Sequence, residues 1–428
     1  MTGTASEATA TSQGLLQHFV SVKQDEVAAL LASFTMFFTL LCAYYIIRPV
    51  RDEMGARIAH DGMQNLFTVV FVVMLAAVPM FGWIASRFPR RRVLPGLYLF
   101  FAMNLVLFWS LLSGDGASKI TIASFFVWAS VFNLFVISLF WSLMAELWSN
   151  EEAKRLYGFI SAGGTAGGLA GPVVTQGLVS FIKPDGLLLV AAALLMASLA
   201  ASLVLRWLRP GAAGSEMTPA GGGILDGATK VFASPYLGRI ALFVFLANIV
   251  GTFFYMEQSR LVANEFTDSA ARVKFFSGRD FAVGVATLLI QIFGTAQVIK
   301  RFGVTTALIA LPLVAIAGTL ALFFNPLLSV VAAVMVAERV AAFAFSNPAI
   351  KVMYTLTSPD EKYKVQNFID TVVYRGGDAV SGWLFASISG GIGFATAATA
   401  LVSLPLGALW LWTARDLGQA HAERAAAT

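Results

Sequence analysis

Long apolar stretches separated by short polar breaks organise the 428-residue chain. The apolar runs fall at 27–47, 66–86, 93–113, 120–149, 156–180, 187–208, 239–262, 281–299, 304–324, 327–350, 367–388 and 390–413. An α-helix needs about 20 mostly apolar residues to cross a bilayer core, so the pattern predicts an all-α membrane protein with twelve transmembrane helices. The run 120–149 is longer than required and predicts a tilted or protruding helix. Residues 1–26 are polar. They lack the basic start and apolar centre of a cleaved signal peptide, and read as a tail.

Composition agrees with that pattern. Apolar residues make up 58% of the chain and charged residues 12%, against about 25% charged in a soluble domain. These values argue against a soluble enzyme, a disordered scaffold and a nucleic-acid binder. The single cysteine, Cys42, leaves no disulfide framework or multi-cysteine metal site. His18, His60 and His421 are scattered, so neither a metal nor a cofactor is expected. No G-x4-G-K-[ST] phosphate loop occurs, and no H-E-x-x-H or G-x-S-x-G motif, which argues against an ATP-driven pump and a membrane enzyme.

Lys and Arg are unevenly placed. Eighteen lie with both tails and the loops after spans 2, 4, 6, 8 and 10, and nine on the other side. Positive loops stay inside, so both termini are expected in the cytoplasm. Arg48, Arg51 and Arg260 crowd span ends and count for less.

The longest break, 209–238, is rich in Gly and Pro as a flexible linker should be. It divides the chain into a tail (1–26), a six-helix bundle (27–208), the linker, a second six-helix bundle (239–413) and a tail (414–428). Residues 150–168 align with 359–377 at a shift of 209, pairing Glu152 with Glu361, Phe159 with Phe368 and Gly167-Gly168 with Gly376-Gly377. Arg87-Phe88-Pro89 likewise matches Arg301-Phe302-Gly303. Six spans separate each pair, so the two repeats run parallel.

Two motifs resemble those of major facilitator transporters. Residues 82–91, GWIASRFPRR, keep Gly82, Arg87, Arg90 and Arg91 of that superfamily's gating loop, with Ser86 in place of its Asp and Pro89 in place of its second Gly. Gly167-x3-Gly171-Pro172 resembles the first part of the antiporter motif, whose small residues let helices approach closely. A narrower resemblance joins residues 45–54, 130–148 and 361–383 to bacterial members of the nucleotide transporter (ATP/ADP antiporter) family, most specifically through K-x3-F-I-D from Lys364 to Asp370. It implies counter-exchange of nucleotides without hydrolysis, in a bacterial inner membrane. The family's basic residue after span 1 falls on Arg51. Its acidic position falls near Ala129, and a lysine position falls near Asp378, with reversed sign.

Charges inside spans are costly, so they are the candidate functional groups. In span 11, at 100° per residue, Asn367, Asp370, Thr371, Tyr374, Arg375, Asp378 and Ser381 share one sector, with Ile369, Val373, Gly376, Val380 and Trp383 opposite. Span 10 carries Glu338 and Arg339. These groups form either a substrate or proton site or a structural ion-pair network among Glu338, Arg339, Asp370 and Asp378. Tyr44, Arg48 and Arg51 share a face of span 1 if the helix continues through Pro49. There two guanidiniums beside tyrosines suit a phosphate and a base, unless Asp52 and Glu53 neutralise Arg51. Asn133 and Asn248 are midspan polar groups, either substrate ligands or bonds to a neighbouring helix. The expected function is alternating-access exchange of nucleotides or related phosphorylated metabolites, a small anionic solute, by a monomer in the bilayer. A proton-coupled carrier of another organic solute is the alternative, and a transport-inactive scaffold a third reading.

Overall fold

The computed structural model describes residues 22–59, 62–87, 90–114, 117–210, 224–392 and 395–426. Among them there is no strand. The helices are α1 (Val27–Arg57), α2 (Met63–Arg87), α3 (Arg90–Leu112), α4 (Lys119–Leu147), α5 (Asn150–Leu208), α6 (Ile224–Ala233), α7 (Pro235–Glu265), α8 (Ser269–Ile290), α9 (Ala296–Phe324), α10 (Leu328–Ala341), α11 (Asn347–Met353), α12 (Pro359–Phe368), α13 (Tyr374–Ile392) and α14 (Ala395–Ala426).

Among the described residues, eight helical stretches are long and apolar enough to cross a membrane, by length and composition. Two of these contain a turn. The 59-residue α5 is broken at Lys183 (φ 59°, ψ 169°) before Pro184, and α9 at Gly303 (φ 82°, ψ 167°). Counting those breaks gives ten rods. Pro359–Ile392 and Ala395–Ala426 make twelve among the described residues. Phe181, Trp207, Ile120 and Phe324 are among the large apolar side chains left exposed. In a bilayer such side chains meet lipid, not water, and their exposure carries no penalty.

Local chemistry fixes several helix starts. Ser149 accepts from the Glu152 amide while Glu152 accepts from the Ser149 amide, a capping box that opens α5. Ser358 and Glu361 build the same box at the start of α12. These caps stand 209 residues apart, the shift found in the sequence repeat. Each satisfies two amide donors that the first helical turn would otherwise leave open. Several buried hydroxyls are satisfied within their own helices: Ser33, Thr39, Thr175, Thr319 and Thr413 donate to carbonyls four residues back. In hydrocarbon this avoids orphaned polar groups.

Three π turns, Gln291–Thr295, Ala342–Ser346 and Ile369–Val373, continue α8 into α9, α10 into α11 and α12 into α13. A π turn loosens the backbone ladder. In the second, Gln291 Nε2 donates to Phe343 O at 3.1 Å and Thr295 Oγ1 to Ala344 O at 2.8 Å, so the first π turn supplies donors for the second.

The chain divides into two compact units. One comprises 1–50, 84–117 and 132–217; the other comprises 51–83, 118–131 and 218–428. In the first, α1 packs on a glycine stripe of α5. A Cβ on Gly163 would lie 2.6 Å from Phe34 O, and one on Gly171 would lie 2.7 Å from Tyr45 Cβ and 2.9 Å from Cys42 O. A Cβ on Gly167 would collide with Phe38 O. Without a hydrophobic drive between helices in lipid, such backbone-close packing holds them together. Ser198 Oγ adds a bond to Met36 O at 2.9 Å. At the start of α1, Glu26 takes two contacts from Arg155, at 2.8 and 3.2 Å.

In the second unit, part of the predicted linker is ordered structure. Helix α6 docks on α12, with Gly227 against Lys364 O and Phe368 Cβ, and Asp226 lies 3.9 Å from Lys364 Nζ. The segment after 413 also continues as helix to Ala426, with Ala414 and Leu417 fully buried.

Candidate functional site

Two polar assemblies stand out in the second unit. The first zips α13 to α7. Asn248 Nδ2 donates to Tyr374 O. One turn on, Thr252 Oγ1 donates to Asp378 Oδ1 at 2.8 Å, and Ser381 Oγ donates to Ile249 O at 2.9 Å. Arg375 Nη1 contacts the second oxygen of Asp378 at 3.2 Å, and its guanidinium lies over the Tyr374 ring. Both Asp378 oxygens are thereby engaged. A charge pair with an added hydroxyl donor is the arrangement in which a buried carboxylate stays tolerable.

The π turn at Ile369–Val373 alters the stripe drawn at 100° per residue. Thr371 and Asp378 are buried, whereas Asn367, Asp370 and Tyr374 are exposed. On the opposite side, Trp383 Nε1 reaches Thr68 Oγ1 on α2 at 2.9 Å, and a Cβ on Gly382 would lie 3.1 Å from Gln64 Cα. Glu338 and Arg339, in the last turn of α10, are half-buried. A Cβ on Gly251 of α7 would come 3.3 Å from Glu338 Oε1. Arg339 Nε is enclosed without a hydrogen-bond partner. Among the described residues, neither reaches Asp378 or Arg375 as an ion pair.

The second assembly lies at the Arg57 end of α1. Arg279 Nη2 bridges Asp52 Oδ2 and Asp280 Oδ1, both at 2.7 Å, while its Nη1 donates to Gln258 Oε1 at 2.6 Å. Tyr255 donates to Asp52 Oδ1 at 3.1 Å, and Arg51 pairs with that oxygen at 2.7 Å. Nearby, Glu53 takes Arg57 at 2.7 Å, Ser269 at 2.7 Å and Arg272 at 3.6 Å. Asp52, Glu53, Gln258, Arg279 and Asp280 are all buried.

Sequence reading missed most of this second cluster, because it assigned 263–280 to a loop. Instead Asp268 caps α8 by accepting from the Ala271 amide, so Arg279 and Asp280 sit inside the helix. The signal was available: Asp268 precedes a helix-compatible run, and Arg279-Asp280 directly abuts an apolar stretch.

The remaining predicted residues are distributed as follows. Helix α1 continues through Pro49, with Tyr44 half-buried, Arg48 buried over the Tyr45 ring and Arg51 over the Phe126 ring. In α4, Asn133 Oδ1 is enclosed without a hydrogen-bond partner. Gly82 and Arg87 are exposed near the end of α2; Arg90 and Arg91 open α3, and their side chains lie outside the described residues, as do Phe88 and Pro89. Gly167 and Gly171 face α1 from α5, and Pro172 beside them is buried. Among the described residues no cluster of His, Cys, Asp and Glu could hold a metal ion.

No curated protein matches the sequence. Solved structures do match over nearly the whole chain. A bacterial homologue of the human lysosomal transporter Spinster, inward-facing and unoccupied, is 17% identical with a TM-score of 0.58, covering 94% of this chain and 99% of its own. A POT family transporter in complex with a thioalcohol-conjugated peptide is 12% identical with a TM-score of 0.65, covering 91% and 96%. The nucleoside transporter NupG is 14% identical with a TM-score of 0.62, covering 93% and 99%. At these identities the likeness is one of fold. The Major Facilitator Superfamily profile matches residues 27–382, most of the length. A multi-pass all-α membrane protein with charged groups held inside its helices, the chain belongs to the Major Facilitator Superfamily of secondary transporters.

Proposed function

We propose that this protein exchanges nucleotides or related phosphorylated metabolites by alternating access, in a bacterial inner membrane with both termini in the cytoplasm. The reading is carried by the seam where Arg375 and Asp378 meet Thr252, inside helices that are otherwise apolar. That seam lies in the segment 361–383 that resembles nucleotide exchangers. NupG, a nucleoside transporter, shares the fold. In this reading residues 27–208 rock against 239–413. Asp52 and Arg279, one from each sequence half, must then separate when the outer face opens. Coupling requires that the solute bind differently in the two states.

The test is uptake of labelled ATP into proteoliposomes preloaded with ATP, ADP or nothing, with and without a pH gradient. Exchange predicts uptake that needs internal nucleotide. A second reading, proton-coupled transport of another organic solute, is favoured by Glu338, whose carboxylate has no cation within 4.0 Å among the described residues. Uptake driven by the pH gradient with empty vesicles would select it and exclude exchange.

A further inference from the structure

We infer that Arg339, rather than Arg375, receives the anionic group of the transported solute. The inference deepens the exchange reading and rests on it only for the identity of that solute.

Among the arginines within the helices of the second unit, Arg279, Arg339 and Arg375 differ in their partners. Arg279 is clasped by Asp52 and Asp280, each at 2.7 Å. Arg375 is committed to Asp378 at 3.2 Å. Arg339 has neither kind of partner. Its Nε is enclosed and unbonded, and among the described residues no carboxylate lies within 4.0 Å of the guanidinium. The adjacent Glu338 leaves the helix about 100° away, on the side where a Cβ on Gly251 would meet its Oε1.

An ionised group inside a transmembrane helix is kept only where something answers its charge or where it lines a solute path. Among the described residues no such group lies at contact distance from Arg339. Guanidinium presents a flat fork of donors that fits a phosphate or carboxylate through two parallel bonds. Glu338, one residue back, offers an acceptor to a donor group on the same solute. The class of ligand is an organic anion bearing phosphate or carboxylate.

The experiment is thermal unfolding of the purified protein in detergent, titrated with ATP, inorganic phosphate or uncharged adenosine. In the wild type ATP or phosphate should raise the midpoint, and adenosine should do so less. Arg339→Gln should unfold no earlier than wild type without ligand, since it removes a charge that has no carboxylate at contact distance among the described residues. Its half-effect concentration for the anion should rise about tenfold or more, the cost of losing one charge-assisted contact, and Arg339→Lys should recover part. Arg375→Gln, which strands Asp378, should instead lower the unliganded midpoint. The inference is overturned if no anion stabilises the wild type, if Arg339→Gln responds as wild type does, or if unliganded Arg339→Gln unfolds several degrees early. A phosphate response without ATP exchange in proteoliposomes would retire the nucleotide reading and leave Arg339 as the anion site.

Discussion

Asp52 and Arg279, 227 positions apart, meet at 2.7 Å with both side chains about 1% exposed. Removing one partner of such a buried pair leaves an uncompensated charge, which typically costs about 3–5 kcal/mol. Asp52→Asn and Arg279→Gln should therefore each lower the unfolding midpoint strongly. The double variant should recover part of the loss. Measuring both single variants and the double closes the cycle, and strictly additive losses would show that the two residues are not energetically coupled.

Gly167 sits where any Cβ meets the Phe38 carbonyl. Because the obstacle is backbone, relaxation must move a helix. Gly167→Ala is expected to destabilise by about 1–3 kcal/mol, the usual range for overpacking, readable as a lowered midpoint in detergent. Gly82→Ala is the control, since a Cβ there has nothing within 4 Å.

Lys183 holds φ 59° and ψ 169°, a region populated almost solely by glycine. Lys183→Gly should relieve that strain and stabilise the protein by about 1 kcal/mol. An unchanged or lower midpoint would mean the side chain contributes more than the strain costs.

Glu26 gives a pH signature. Burial pushes its pKa up, but the bonds from Arg155 and the Lys23 amide outweigh burial and hold it below the ordinary 4.5. A carboxylate depressed by folding stabilises the protein fully above its unfolded pKa, and that contribution fades as pH falls through the folded value. Wild type and Glu26→Gln should therefore differ in midpoint near neutrality and converge below about pH 4.5. A gap that stays constant down to strongly acid pH would remove the Arg155 pair as its cause.

Gly227 lets α6 dock on α12 through contact with Lys364 O and Phe368 Cβ. Gly227→Leu should lift the helix off. Trypsin cleavage after Lys230 should then quicken by about an order of magnitude, as expected when a local opening costs roughly 1.4 kcal/mol less. Cleavage at the wild-type rate would show that α6 docks by its other contacts.

Much of the architecture was legible because membrane helices announce themselves by length and apolarity, and the 209-residue repeat reappears in the paired caps at Ser149 and Ser358. The Arg375–Asp378 pair was readable from its spacing of three. Partners between helices were not. Nothing in the neighbourhood of Asp52 points to Arg279, and a composition reading treats Arg279 as a loop charge. The linker reading missed α6, because the Gly and Pro richness of 209–238 hides a short amphipathic stretch whose docking depends on a glycine.

The π turn at Ile369–Val373 amounts to one residue more than an α-helix would use for the same rise. It therefore acts as a phase setter. Everything after it is turned by about 100° relative to an uninterrupted helix, with no change of residue required. Thr252 meets Asp378, and Asn248 meets the Tyr374 carbonyl, only in that phase. A one-residue deletion within 369–373 would leave a continuous and equally apolar helix, yet carry Arg375 and Asp378 around its axis and out of register with α7. The chemistry of this helix is thus encoded in the count of its residues as well as in their kind.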